Sequence, residues 1–231
     1  MFLYLDFNDL TTIKSSAAEF LSKEKKLHVL FNNAGVMRPP QGSKTVQGYE
    51  LQLGVNNIAP FLFTKLLIPT LASTAKLEAP NTVRVVWTST VDIDAGGPKG
   101  GVEIDNLDYH VQKSPVVKYV TSKVGNYLHA VELAGRYRDA GIISIALNPG
   151  NLRTELARHM GSAFRFLVSF ICYPPVNGAY TGLFAGLSPD VTMERSGHWS
   201  KSCNVDDLLS SCAYNISCPF WQIHGHSPRS T

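Results

Sequence analysis

The chain has 231 residues, 44% of them hydrophobic and 17% charged, which is the composition of one globular domain with a substantial core. Its formal charge of +3 comes from 21 basic and 18 acidic residues spread along the sequence, and basic runs such as Lys23 to Lys26 are short and interrupted by Glu24. That pattern excludes a nucleic-acid footprint.

The first residues, Phe2 to Asp6, read as a strand, and Thr11 to Glu24 as a helix with Ile13, Ala17, Phe20 and Leu21 on one face. Leu27 to Asn32 is a continuous apolar run of the kind buried in parallel sheets. A loop from Val36 to Gly48 leads to a helix from about Tyr49 to Leu71, which Pro60 and Pro69 are expected to kink or limit. Val83 to Thr88 is the next strand, with Ser89 and Thr90 at its end, and a glycine-rich loop runs from Asp92 to Pro115. Val116 to Arg138 is helical, Ile142 to Leu147 is a strand, and Asn148-Pro149-Gly150 ends it. Helices are expected around Thr154 to Tyr173 and Gly178 to Leu187. Strands alternating with helices argue for βαβ units and a parallel sheet.

Toward the C-terminus, Cys203, Cys212 and Cys218 lie among His198, His224 and His226 at spacings that match no common zinc pattern. Reduced thiols and no metal are the expectation, although Asn215-Ile216-Ser217 has the form of a glycosylation sequon. The start, Met1 to Asp6, lacks the features of a signal peptide. The apolar stretch Ala163 to Tyr173 is broken by Arg165 and is shorter than the ~20 residues a membrane helix needs. A cytoplasmic protein without a transmembrane span is therefore expected.

Tyr119 and Lys123 stand four residues apart in the helical segment, so phenol and ammonium share a face. A cation beside a phenol favours the phenolate, which predicts a tyrosine pKa drawn below ~10 and suited to proton exchange with an alcohol or carbonyl. Asn32-Asn33-Ala34-Gly35 upstream and Asn148-Pro149-Gly150 downstream fall at strand ends, where open α/β sheets bind ligands.

In this order the motifs resemble the short-chain dehydrogenase/reductase family, in particular fungal retinol-dehydrogenase-like reductases, from about Leu5 to Gly197. The resemblance implies a Rossmann-like, doubly wound parallel sheet over residues 1–197, followed by an atypical tail, 198–231, where a sheet-completing strand and a charged helix were to be expected. It implies an oxidoreductase that interconverts a carbonyl and an alcohol on a small apolar or secondary-metabolite substrate, with NADP(H) as cofactor and NAD(H) as the alternative. Tyr119 takes the acid/base role, and Lys123 supports it and binds the cofactor ribose. Asn56 helps hold a water near the lysine, and Thr90, or Ser89 if the register slips by one, bonds the substrate oxygen. Asp6, Asn33, Ala34, Gly35, Leu152 and Thr154 match cofactor-contacting positions, and Phe164, Phe166, Phe170 and Tyr173 match a variable substrate lid. Expected partners are the small-molecule substrate and, as one option, a second copy of the chain.

The family pattern starts with a Thr-Gly-x-x-x-Gly-x-Gly turn, and none occurs between Met1 and Gly35. Relative to a strand order of 3-2-1-4-5-6-7, the first two βα units are missing, on the order of 60 residues at about 30 per βαβ unit. The expected consequences are a strand at Phe2 without its neighbour and an open edge on the strand at Leu27. Two further functions fit the same residues: a catalytically inactive paralogue acting as a binding protein, and an isomerase or pericyclase using the pocket without redox chemistry.

Overall fold

The computed structural model describes residues 1–90, 92–93, 101–158, 161, 166, 170 and 172–200. Among the described residues four parallel strands form one sheet in the order β1-β2-β3-β4: β1 (Val29–Asn32), β2 (Arg84–Thr88), β3 (Ile143–Leu147) and β4 (Trp199–Ser200). Helices α1 (Leu10–Lys23), α2 (Leu51–Leu77), α3 (Pro115–Arg136) and α4 (Pro175–Leu187) connect or flank them.

Alternation along the strands divides the core between two faces. Val85, Trp87 and Ala146 point toward Ile13 and Ala17 of α1, Phe63, Leu67 and Leu71 of α2, and Ala130 and Leu133 of α3. Val86, Ile143, Ile145 and Leu147 point the other way, onto Ala185 of α4 and Val191. Helices on both faces make the sheet doubly wound. Trp87 brings one polar atom into the first face, and its indole N–H donates to Ser144 Oγ at 3.1 Å, so the burial leaves no orphan donor.

Local chemistry explains most boundaries. Asp9 caps α1 by accepting from Thr11 N at 3.0 Å, and Ser114 caps α3 from Val117 N at 3.3 Å, with Pro115 in the first turn. Helix α2 runs on past Leu71 to Leu77 and through both prolines, so neither of them ends it. A π-helical segment, Gly54–Ile58, precedes Pro60 and takes up the register change there. Pro69 lies inside the helix and forgoes one backbone bond.

Two other expectations are corrected, and two fall partly or wholly outside the described residues. Phe2 to Asp6 is not a strand: it has no ladder partner among the described residues, and Phe2 is 100% exposed. Between Thr154 and Tyr173 the described residues include the short 3-10 turn Glu155–Ala157 and a helical Phe166, and the rest of the helix expected there, Phe164 included, lies outside them. Strand β4 falls just beyond Gly197, pairing Trp199 with Ala146 and Ser200 with Leu147, so a sheet-completing strand does follow that residue. The tail from residue 201 onward, with Cys203, Cys212, Cys218, Asn215, His224 and His226, lies outside the described residues.

Among the described helices α2, rather than the 163–173 stretch, is the one long and apolar enough to cross a membrane. Its Ala59, Phe63, Leu67 and Leu71 are buried in the core described above, the position of a central packing helix. Strand β1 is an edge of the described sheet, as expected, and Phe31 on it is 44% exposed.

Candidate active site

The carboxyl ends of β1, β2 and β3 lie side by side, because the register pairs Asn32 with Trp87 and Thr88 with Leu147. Helix α3 crosses beneath them and carries Tyr119, Ser122, Lys123 and Asn126, all buried. Lys123 donates from Nζ to the Thr88 carbonyl at 3.1 Å, and its ammonium lies 5.9 Å from the centre of the Tyr119 ring. The helical i, i+4 relation thus becomes a real juxtaposition at a strand end.

Burial acts on the two groups in opposite senses. Desolvation drives the Lys123 ammonium down from 10.5 to about 8. The same cause pushes the Tyr119 phenol well above its ordinary value, with the Asp92 carboxylate adding to the rise and Arg38 opposing it. The expectation of a depressed tyrosine is therefore overturned: with the cation lying over the ring and burial dominating, the phenol keeps its proton. A protonated phenol at neutral pH is the form that donates.

Asn56 sits in the π-helical segment and is wholly buried. It accepts from Val36 N at 2.7 Å and donates to Val36 O at 2.9 Å and Ser122 Oγ at 3.0 Å. This pins the turn after Gly35 to α3. Its main-chain carbonyl has no α-helical donor four residues on, because that residue is Pro60. Gly35 is required by the same packing: a Cβ there would lie 2.9 Å from Asn56 Oδ1 and 3.5 Å from Lys123 Nζ.

The two hydroxyls after β2 behave differently. Ser89, 2% exposed, donates to the Lys123 carbonyl at 2.7 Å and belongs to the packing between β2 and α3. Thr90 is only partly buried, and its hydroxyl donates to Asp92 Oδ2 at 3.1 Å. Of the pair, only Thr90 keeps a hydroxyl at the accessible side of the strand end.

The cofactor-matching residues gather in part. Asp6, Ala34 and Gly35 line one cavity of about 360 Å³ together with Phe7, Asn8, Val36 and Val55. Asp6 Oδ1 also accepts from Asn8 N at 2.8 Å, a local turn bond that fixes the carboxylate. Asn32 turns inward to donate to Thr64 Oγ1 at 2.8 Å, whereas Asn33 is exposed and its Oδ1 accepts from Thr88 Oγ1 at 3.1 Å. Leu152 packs against α4, where a Cβ on Gly178 would lie 2.2 Å from its Cδ1. Thr154 caps the 3-10 turn through Leu156 N at 3.3 Å. Phe166, Phe170 and Tyr173 are exposed, and the first two stack edge to face at 5.1 Å.

Sequence reasoning misses Asn126, which donates to the Thr88 carbonyl at 2.9 Å beside Lys123. Its signal is an unfavourable residue in a helix interior, three positions after the lysine and so on its face. Ser122, Arg38 and Asp92, which shape the surroundings of Tyr119, are also missed and follow from no spacing rule.

The chain is 49% identical over 222 residues to a short-chain dehydrogenase/reductase of Phomopsis amygdali, covering 92% of this chain and 66% of that one. It is 57% identical over 192 residues to the short-chain dehydrogenase/reductase pkfC of Emericella nidulans, covering 82% of this chain and 61% of that one. The chain belongs to the short-chain dehydrogenase/reductase family. It spans between 61% and 66% of these two curated relatives, and no family model matches it. Among solved structures, the NADPH-bound carbonyl reductase from chicken fatty liver superposes with a TM-score of 0.62 at 22% identity, over 87% of this chain and 74% of that one. A 3-ketoacyl-(acyl-carrier-protein) reductase from Brucella melitensis complexed with NADH gives 0.63 at 21% identity, over 86% and 75%. These confirm the Rossmann-type α/β fold of this short-chain dehydrogenase/reductase.

Proposed function

We propose that this short-chain dehydrogenase/reductase interconverts a carbonyl and an alcohol on a small apolar substrate of secondary metabolism, with Tyr119 as the acid/base. The observation that carries this is the cluster at the strand ends: a buried, protonated Tyr119, Lys123 held on the Thr88 carbonyl, and Asn56 bracing the Gly35 turn. The glycine at position 35 and the Asp6-lined cavity fit a nicotinamide dinucleotide, because backbone there can be approached closely and a carboxylate stands ready for an adenosine group. Asp6, Asn33, Ala34, Gly35, Lys123, Leu152 and Thr154 would hold it. NADP(H) is the form we favour by family analogy, with NAD(H) as the alternative, since solved structures of this fold hold NADPH in one case and NADH in another.

The bound cofactor would supply hydride chemistry at the substrate carbon. For its part the chain orients and protonates: Thr90 fixes the substrate oxygen, and Tyr119 gives its proton to the developing alkoxide. Lys123, with a lowered proton affinity, returns a proton to the tyrosine site between turnovers. The exposed rings of Phe166, Phe170 and Tyr173 offer apolar surface to the substrate.

The test joins the chain to a family-type N-terminal segment carrying the glycine turn and follows NADPH oxidation with a panel of ketones. Tyr119→Phe is expected to lower turnover by about 10²-fold to 10⁴-fold. Residual turnover within tenfold of the parent would remove Tyr119 from the acid role. The 231 residues by themselves carry no glycine turn between Met1 and Gly35 and are expected to bind NADPH weakly or not at all; a titration showing a low-micromolar Kd, about −8 kcal/mol, would contradict that.

A further inference from the structure

Behind Lys123 lies a polar chain that none of the roles above uses. Asn126, 2% exposed, donates from Nδ2 to the same Thr88 carbonyl that receives Lys123, at 2.9 Å against 3.1 Å. Its Oδ1 in turn accepts from Asn57 Nδ2 at 3.3 Å, and Asn57 Oδ1 lies 3.3 Å from His129 Nε2. Burial drives His129 down to about 4, so the ring is neutral at physiological pH and has one N–H to give. With that proton on Nε2 every donor runs one way: His129 to Asn57, Asn57 to Asn126, Asn126 to the Thr88 oxygen. Each amide is oriented by the one before it, and an amide reversed anywhere would set like atoms against each other. Close approach of α2 and α3 is what permits this, because a Cβ on Gly125 would lie 2.2 Å from Asn57 Nδ2.

We propose that Asn126 is a positioning residue for Lys123: oriented by Asn57 and His129, its amide occupies one side of the Thr88 carbonyl and confines the lysine ammonium to the other. This inference rests on the catalytic reading of Lys123 only for its relevance to turnover. The geometry itself concerns the lysine's hydrogen bond and is tested without activity.

Filling one lone pair of the Thr88 oxygen with a neutral amide donor weakens that oxygen as a partner for the ammonium. Removing the amide leaves the full carbonyl dipole to the charged lysine, or lets water reach it, and both changes favour the protonated form. The experiment labels the lysine ε-carbons of the 231-residue chain with carbon-13 and titrates the Lys123 signal by NMR, with Lys123→Arg assigning the signal. Asn126→Leu, which keeps the branched shape and removes the donor, is expected to raise the Lys123 midpoint by about half a unit or more while the exposed lysines stay put. A merely structural asparagine would change the unfolding midpoint and leave the lysine titration where it was, and that result overturns the proposal. Should Asn126→Leu fail to fold, Asn57→Ala decides, since Asn57 bonds neither Thr88 O nor Lys123 Nζ: a smaller upward shift supports the chain, and an unmoved midpoint overturns it. Because no cofactor or substrate enters the measurement, its failure leaves the Tyr119→Phe test of the catalytic reading intact.

Discussion

Lys123 is 3% exposed and gives its ammonium one carbonyl, that of Thr88, so the folded state binds its last proton less tightly than the unfolded chain does. Its pKa falls from 10.5 to about 8, and between those values the unfolded chain carries more protons. Stability must therefore rise with pH across that window, since the cost of burying the charge disappears as the lysine deprotonates. Relative to Lys123→Met, the parent should gain about 2 kcal/mol between pH 8 and pH 10 in urea unfolding. A difference between the two proteins that stays flat with pH would show that the lysine is not desolvated. Above pH 10 the trend reverses, because burial raises Tyr109 to about 12 and Tyr119 also upward, and the unfolded phenols ionise first. At the adjacent strand end, Ser89 is tied to the Lys123 carbonyl while Thr90 remains at the accessible side. Thr90→Ala is accordingly expected to reduce carbonyl reduction in the glycine-turn-bearing protein by about 10²-fold to 10³-fold, and Ser89→Ala mainly to lower the unfolding midpoint. The reverse pattern would place the substrate oxygen on Ser89.

The elements that position these residues were legible to different degrees. Helix α3 was legible to within two residues as Val116 to Arg138, although its Ser114 cap and first residue, Pro115, were assigned to the loop, and β1, β2 and β3 were legible because each is a short apolar run closed by a turn. What sequence could not show was how a neighbour changes an element. Pro60 reads as a helix breaker, yet the π-helical segment Gly54–Ile58 absorbs it and turns Asn56 toward Val36 and Ser122. Phe2 to Asp6 has the composition of a strand, but composition does not supply a ladder partner. The Tyr119 pKa was misjudged for the same reason: the i, i+4 spacing reveals the cation but not the burial that outweighs it. Contact between α2 and α3 is the feature most exposed to mutation, since a Cβ on Gly125 would meet the Asn57 amide at 2.2 Å. Gly125→Ala should force the helices apart or displace Asn57 and cost about 1–3 kcal/mol by thermal or urea unfolding, despite the higher helix propensity of alanine. A stabilised variant would mean that the two helices do not approach this closely.

For the molecule as a whole, the two-faced core assembles a parallel sheet whose carboxyl edge collects Asn33, Thr88, Thr90 and, from below, Tyr119 and Lys123. The family and the fold are established, and the chemistry proposed for that edge is a hydride transfer coupled to proton donation by Tyr119. The most direct test follows the hydride itself. The chain joined to a family-type N-terminal segment carrying the glycine turn is incubated with a ketone and NADPH bearing deuterium at both C4 positions of the nicotinamide, and the product is analysed by mass spectrometry and NMR. The account predicts an alcohol with deuterium on the carbinol carbon, formed by the parent and lost in Tyr119→Phe. An alcohol without deuterium, or equal deuterated product from parent and Tyr119→Phe, would contradict it.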